Sequence, residues 1–214
     1  MARGFKRRDG RYVARLDAVE RGLVVGLMEQ VLELVAPEGD DGGMPRGPGE
    51  GDEFDRIVAG LGGVGMGVSL SAADQAGEDV DAAPDAGERD PALERIFPTA
   101  NRQDEQVAAE FRRLTEEGLR SRKSANLTTA IAALAGLEDQ KVSLDHEQAL
   151  ALVVALTDVR LVLGERLGLK QDDDFEVLEE QASGLGEDDP TVYALAVYDF
   201  LTWLQETLTQ ALAR

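Results

Sequence analysis

Asp145-His146-Glu147-Gln148-Ala149-Leu150-Ala151-Leu152-Val153-Val154-Ala155-Leu156-Thr157-Asp158-Val159-Arg160-Leu161-Val162-Leu163-Gly164-Glu165-Arg166-Leu167-Gly168 is the stretch that decides the fold. Asp145 followed three residues later by Gln148 has capping-box spacing, and Gly168 is a helix stop. Between them, Leu150 to Leu156 is apolar on nearly every side. Such a helix must be covered on more than one face, so the spacing predicts a central helix inside a bundle. Asp158 and Arg160 interrupt its apolar surface. Two residues apart, they project from different helix faces and are expected to pair with other elements instead of each other.

Outward from this helix, Asp189-Pro190 reads as an N-cap before proline at the first helical position. It opens a last helix to about Leu212 with Tyr193, Val197, Phe200, Leu201, Leu204 and Leu208 inward. Tyr193, Tyr198 and Trp203 make this the most aromatic element. Apolar residues on more than one face, with Trp203 opposite parts of the main stripe, add a homodimer to the expectations. On the other side, Asp90-Pro91 starts a short helix over Ala92 to Phe97. Another begins near Asp104 with Val107, Ala108, Phe111 and Leu114 on one apolar face. Thr115, with Glu116 and Glu117 behind it, reads as a fresh N-cap, so a bend or break is expected there before the helix runs on to Gly136.

Asp17 with Glu20 repeats the capping-box spacing and starts the first helix, Ala18 to Ala36. Before it, Asp9-Gly10 separates two short runs rich in aromatic and β-branched residues. That dipeptide suits a type I′ turn, which needs positive φ at both central positions, so a small two-stranded hairpin is expected. The fold class is therefore mainly α: four to five main helices, a small N-terminal β-hairpin and a disordered acidic insert. The chain reads as a single domain over 1–214, with hairpin and first helix in 1–36, the insert in 37–90, and the bundle in 91–214 with an acidic loop at 172–189.

The 214 residues include 42 acidic and 22 basic ones, a formal charge of −20, but the charge is not spread evenly. Residues 37–90 net −11 and carry 13 of the 23 glycines, too little apolar surface to offset ordering. Residues 172–189 net −9, and the rest of the chain nets zero. Residues 1–15 are the exception in sign: Arg3, Lys6, Arg7, Arg8, Arg11 and Arg15 face one acid, Asp9, with Phe5 and Tyr12 interleaved. A basic ribbon of this kind is either an edge hairpin guarded by charge or a grip for phosphates, an acidic protein, or the chain's own acidic segments, which would then compete for it. A second cluster, Arg112, Arg113, Arg120, Arg122 and Lys123, is interspersed with Glu110, Glu116 and Glu117 and reads as a solvated helix face.

Catalytic chemistry finds little to work with. The absence of cysteine excludes disulfides, thiolate catalysis and cysteine-ligated metals, and His146 is the one histidine, read as a surface or capping residue. Gly60, Gly62 and Gly65 match G-x-G-x-x-G, but no βαβ unit surrounds them, so a flexible loop is expected. Asp172, Asp173, Asp174 and Glu176 lack the glycine and terminal glutamate of a calcium loop and read as solvated acids. No catalytic, cofactor-binding or metal-binding residue is singled out. No apolar run approaches the ~18 residues of a membrane span, and the expectation is a cytoplasmic protein without membrane contact.

Four segments carry a family resemblance: Gly4-Phe5-Lys6-Arg7-Arg8; Asp90-Pro91-Ala92-Leu93-Glu94-Arg95-Ile96-Phe97-Pro98; Leu156 to Gly164; and Val197-Tyr198-Asp199-Phe200-Leu201-Thr202-Trp203-Leu204-Gln205-Glu206. In this order they resemble an actinobacterial family of domains of unknown function, described as oxidative-stress transcriptional regulators (AosR-like). The likeness spans nearly all of the chain outside the Gly-rich insert. It implies a cytoplasmic regulator acting on transcription, with a sigma factor as protein partner; taken with the basic ribbon, the expectation is a non-enzymatic regulator with DNA as a second partner through the hairpin. It also implies a gene near the ClpS adaptor and a carrier-protein route to cysteine. An adaptor role in ClpS-dependent proteolysis is therefore one alternative, and an enzyme with an unrecognised site around Asp158 and Arg160 is another. Asp158, Arg160, Tyr198 and Trp203 stand at motif positions. The family's redox sensing uses a cysteine pair, which this chain lacks, so thiol switching does not carry over.

Overall fold

The computed structural model describes residues 2–36, 90–99, 104–171, 173–186 and 189–214. In chain order these form strands β1 (Arg3–Arg8) and β2 (Arg11–Arg15), helix α1 (Ala18–Val35), α2 (Pro91–Ile96), α3 (Glu105–Leu134), strand β3 (Lys141–Leu144), α4 (His146–Arg166), α5 (Asp174–Ala182) and α6 (Pro190–Leu212). Four long helices, two short ones and a small sheet give the mainly helical architecture the sequence predicts. Apart from Asp90, the expected insert over 37–90 lies outside the described residues, and so do its Gly60-Gly62-Gly65 motif and Asp172.

Local chemistry sets the boundaries. Asp9 and Gly10 both have positive φ, 51° and 74°, the pair a type I′ turn requires. Asp17 with Glu20, and Asp145 with Gln148, form complete capping boxes at α1 and α4. Asp90 and Asp189 each cap a helix whose first position is proline.

Helix α4 is the hub. It packs against α1, α2, α3 and α6, and one end touches β2 and β3. Leu152, Leu156 and Leu163 have no exposed surface, each worth about 1.5–3 kcal/mol of burial. One stripe escapes, with Leu150 47% and Val154 37% exposed. Side-chain ties reinforce the packing: Arg166 donates to Asp90 at 2.6 Å, and Arg95 meets Glu165 at 3.0 Å, joining α2 to α4. No helix among the described residues is long and apolar enough to cross a membrane.

Three expectations are corrected and two are extended. The expected N-terminal hairpin is present, and β3 extends it into an antiparallel sheet in the order β1-β2-β3. Helix α3 is continuous through Thr115, so the break expected there is absent, and the Thr115 hydroxyl donates to the Phe111 carbonyl one turn back at 2.8 Å instead of capping a new helix. On the apolar face of α3, Val107, Phe111 and Leu114 are left 52%, 51% and 68% exposed, and Tyr193, expected to point inward from α6, is 47% exposed. The acidic stretch 172–189 is not all loop, because α5 forms within it and sets Phe175 and Leu178 against the core.

Candidate partner-binding site

The sheet has one apolar and one cationic face, and strand alternation decides which residue goes where. Phe5, Tyr12, Ala14, Val142 and Leu144 are buried on the inner face, over the helices. The pairing register then stacks the outer residues into rows. Arg3 opposes Arg15, which opposes Lys141; Lys6 opposes Val13, which opposes Ser143; Arg8 opposes Arg11.

A bulge makes these rows. Between Arg3 and Lys6 the register of β1 shifts, so two residues, Gly4 and Phe5, stand against the single Ala14 of β2. Both cations thereby reach the outer face. Helix α6 pins the bulge: Phe5 N–H donates to the Thr207 hydroxyl at 3.2 Å, and a Cβ on Gly4 would lie 2.6 Å from the Thr207 methyl. No side chain larger than hydrogen fits at position 4 without displacement.

All six cations expected from the N-terminal ribbon, Arg3, Lys6, Arg7, Arg8, Arg11 and Arg15, are exposed, and β3 adds Lys141. Arg7 opposes Tyr12 near the turn. Arg11 is held flat across the face, donating from Nε to the Ser143 hydroxyl and from Nη2 to the Ser143 carbonyl, both at 2.8 Å. None of these cations forms an ion pair with a carboxylate among the described residues. Like charges directly opposite on neighbouring strands destabilise a sheet, so the Arg3-Arg15-Lys141 row is an uncompensated cost. The aromatics thought to interleave with the cations do not: Phe5 and Tyr12 are 4% and 3% exposed, on the opposite face. Lys141 and Ser143 escaped sequence reading. Their signal was the polar-apolar alternation of Lys-Val-Ser-Leu just before the Asp145 cap.

His146, at the first position of α4, places Nδ1 3.1 Å from the hydroxyl of buried Tyr12, giving that hydroxyl its partner. The motif positions on α4 and α6 form a separate, internal set. Asp158 is buried and accepts a 2.6 Å bond from Lys123 of α3, while its Oδ2 is buried without a hydrogen-bond partner. Burial pushes the Asp158 carboxyl above the usual range, against the opposing pull of the Lys123 hydrogen bond and charge. Arg160 donates to the Gln205 amide oxygen at 2.7 Å and lies 5.2 Å above the Tyr198 ring. Trp203 stacks on Phe200 with centroids 6.0 Å apart. Asp158 and Arg160 thus pair with different helices, as their spacing implies, and tie α4 to α3 and to α6.

The second basic cluster is not a uniform solvated face. Arg113 and Arg122 are exposed, but Arg120 is 8% exposed, bonded to Glu116 and the Ala36 carbonyl, with its guanidinium 5.1 Å from the Phe97 centroid. Lys123 is committed to Asp158. Among the described residues, no group of three or more histidine, aspartate and glutamate side chains is arranged to hold a metal ion. Asp174, read with its neighbours as a solvated acid, accepts the backbone N–H groups of Lys170 and Gln171.

Residues 2–212 match the family model described as "Domain of unknown function (DUF2017)". No curated protein and no solved structure matches the chain.

Proposed function

The chain belongs to the DUF2017 family of unknown function across nearly its whole length, and from that premise we propose that it is a non-enzymatic regulatory protein that docks on an anionic partner through the outer face of its sheet. The row Arg3-Arg15-Lys141 carries this reading. Each like-charge contact costs roughly 0.2–1 kcal/mol, and no carboxylate of the described residues offsets it. An external anion would offset it on binding. The resemblance to oxidative-stress transcriptional regulators supports a sigma factor as partner, and the exposed cations of the hairpin add DNA as a second. With no cysteine in the chain, a thiol switch is not the signal.

Purified RNA polymerase core, sigma factors and promoter DNA, each presented to the immobilised full chain, test this proposal. Binding to at least one of them, strongly weakened in a triple alanine variant of Arg3, Arg15 and Lys141, is the expected result. No binding to any component, or binding that the variant leaves intact, would sink it.

A further inference from the structure

Resting on that docking role, we infer that the occupant of the sheet's outer face is an extended acidic segment of a partner protein, with acids at every fourth residue, and not a nucleic acid. The supporting observations are the chemistry and spacing of the face. Single-stranded nucleic acid is held by stacking bases on exposed aromatic rings as well as by charge. Phe5 and Tyr12 are turned into the core, so the outer face offers charge with no stacking platform. A duplex presents one charge per about 1.7 Å of axis and draws its affinity from many phosphate contacts. This face is only three strands wide, room for one short extended segment and few phosphate contacts.

The rows also have an order. Along β2 the outward residues are Arg15, Val13 and Arg11, separated by two residues or about 6.6–6.8 Å each. Side chains on one face of an extended peptide repeat at the same distance. A strand laid along β2 therefore sets one carboxylate at the Arg3-Arg15-Lys141 row and another at the Arg8-Arg11 row. Between them its middle outward residue lies over Val13, with Lys6 on one side and the Ser143 hydroxyl on the other. The complementary pattern is acid, small apolar residue, acid at alternate positions.

Fluorescence anisotropy on the full chain tests this with three probes: a labelled peptide of repeating Glu-Ser-Val-Ser, a labelled DNA duplex and a labelled single-stranded oligonucleotide of matched charge. A double variant carrying Arg15→Ala and Lys141→Ala is run beside the wild type, with circular dichroism confirming that it is folded. The expected result is that the peptide binds more tightly than either nucleic acid and loses about tenfold or more in affinity in the double variant. If a nucleic acid binds as well as or better than the peptide and the variant loses it, the acidic-segment inference is overturned while docking through this face stands. If no probe binds, or the variant binds all of them like the wild type, both are overturned.

Discussion

Replacing Arg15 with threonine should make the folded protein more stable while weakening its hold on a partner. Arg15 stands between two cations in register, Arg3 on β1 and Lys141 on β3, so a single substitution removes both repulsive contacts of the row. At roughly 0.2–1 kcal/mol per like-charge pair, the gain is about 0.4–2 kcal/mol, and threonine suits an exposed strand position. For a chain of this length, that corresponds to a rise in melting temperature of about 1–8 °C. The gain is electrostatic and must therefore shrink as salt is added, because the Debye length contracts to about 3 Å at 1 M ionic strength. Urea unfolding of wild type and Arg15→Thr at low and high salt measures both effects, with Val13→Thr as an uncharged control on the same face. A less stable Arg15→Thr, or a gain indifferent to salt, would show that the row carries no strain and remove the physical motive for an anionic partner.

Gly4→Ala should cost about 1–3 kcal/mol in urea unfolding, because its Cβ would stand 2.6 Å from the Thr207 methyl and force the bulge off α6. Lys123→Ala leaves Asp158 buried without its cation and should cost about 3 kcal/mol, with Asp158→Asn in the same chain recovering part of the loss. For Asp158 itself, burial raises the folded value, so its protonation-linked stability is fully present below the ordinary carboxylate value and is lost as pH rises through the raised one. Unfolding titrations across that window should show Asp158→Asn gaining on wild type as pH rises; the opposite slope would contradict the assignment. Asp174 runs the other way: the backbone N–H groups of Gln171 and Lys170 hold its carboxyl below the usual range. Its contribution is present above the ordinary carboxylate value and is lost as pH falls through the lowered one. Asp174→Asn should therefore speed amide exchange at Lys170 and Gln171 at neutral pH and make little difference in acid.

The features legible in the sequence share one property, that their cause lies within a few residues. Asp9-Gly10, the Asp17 and Asp145 capping boxes, and the Asp-Pro starts at residues 90 and 189 each specify a turn or a helix end without reference to the rest of the chain. The apolar surround of Leu150 to Leu156 likewise announced a central helix, because burial of such a segment has few solutions. What escaped was set by distant partners. Four residues of Lys-Val-Ser-Leu become a strand only because β2 offers them a ladder. The periodicity of Val107, Phe111 and Leu114 showed an apolar face on α3 but could not show whether the fold would cover it. Arg120 stands among glutamates in the sequence, but Ala36 and Phe97, which bury it, lie far away along the chain. The ribbon of cations was visible in residues 1–15, but its order in rows was not, since the bulge depends on Thr207 and the third column on Lys141.

The bond from Phe5 to Thr207 joins residues 202 positions apart. On the ribosome, at about 5–20 residues per second, the strand bearing Phe5 precedes its clasp by about 10–40 s. Throughout that interval the nascent chain carries its arginines without the bond that holds the bulge between Arg3 and Lys6. The rows are therefore among the last features to be completed. A chain cut short before Thr207 would carry all six N-terminal cations and still lack the bond that holds the bulge in place.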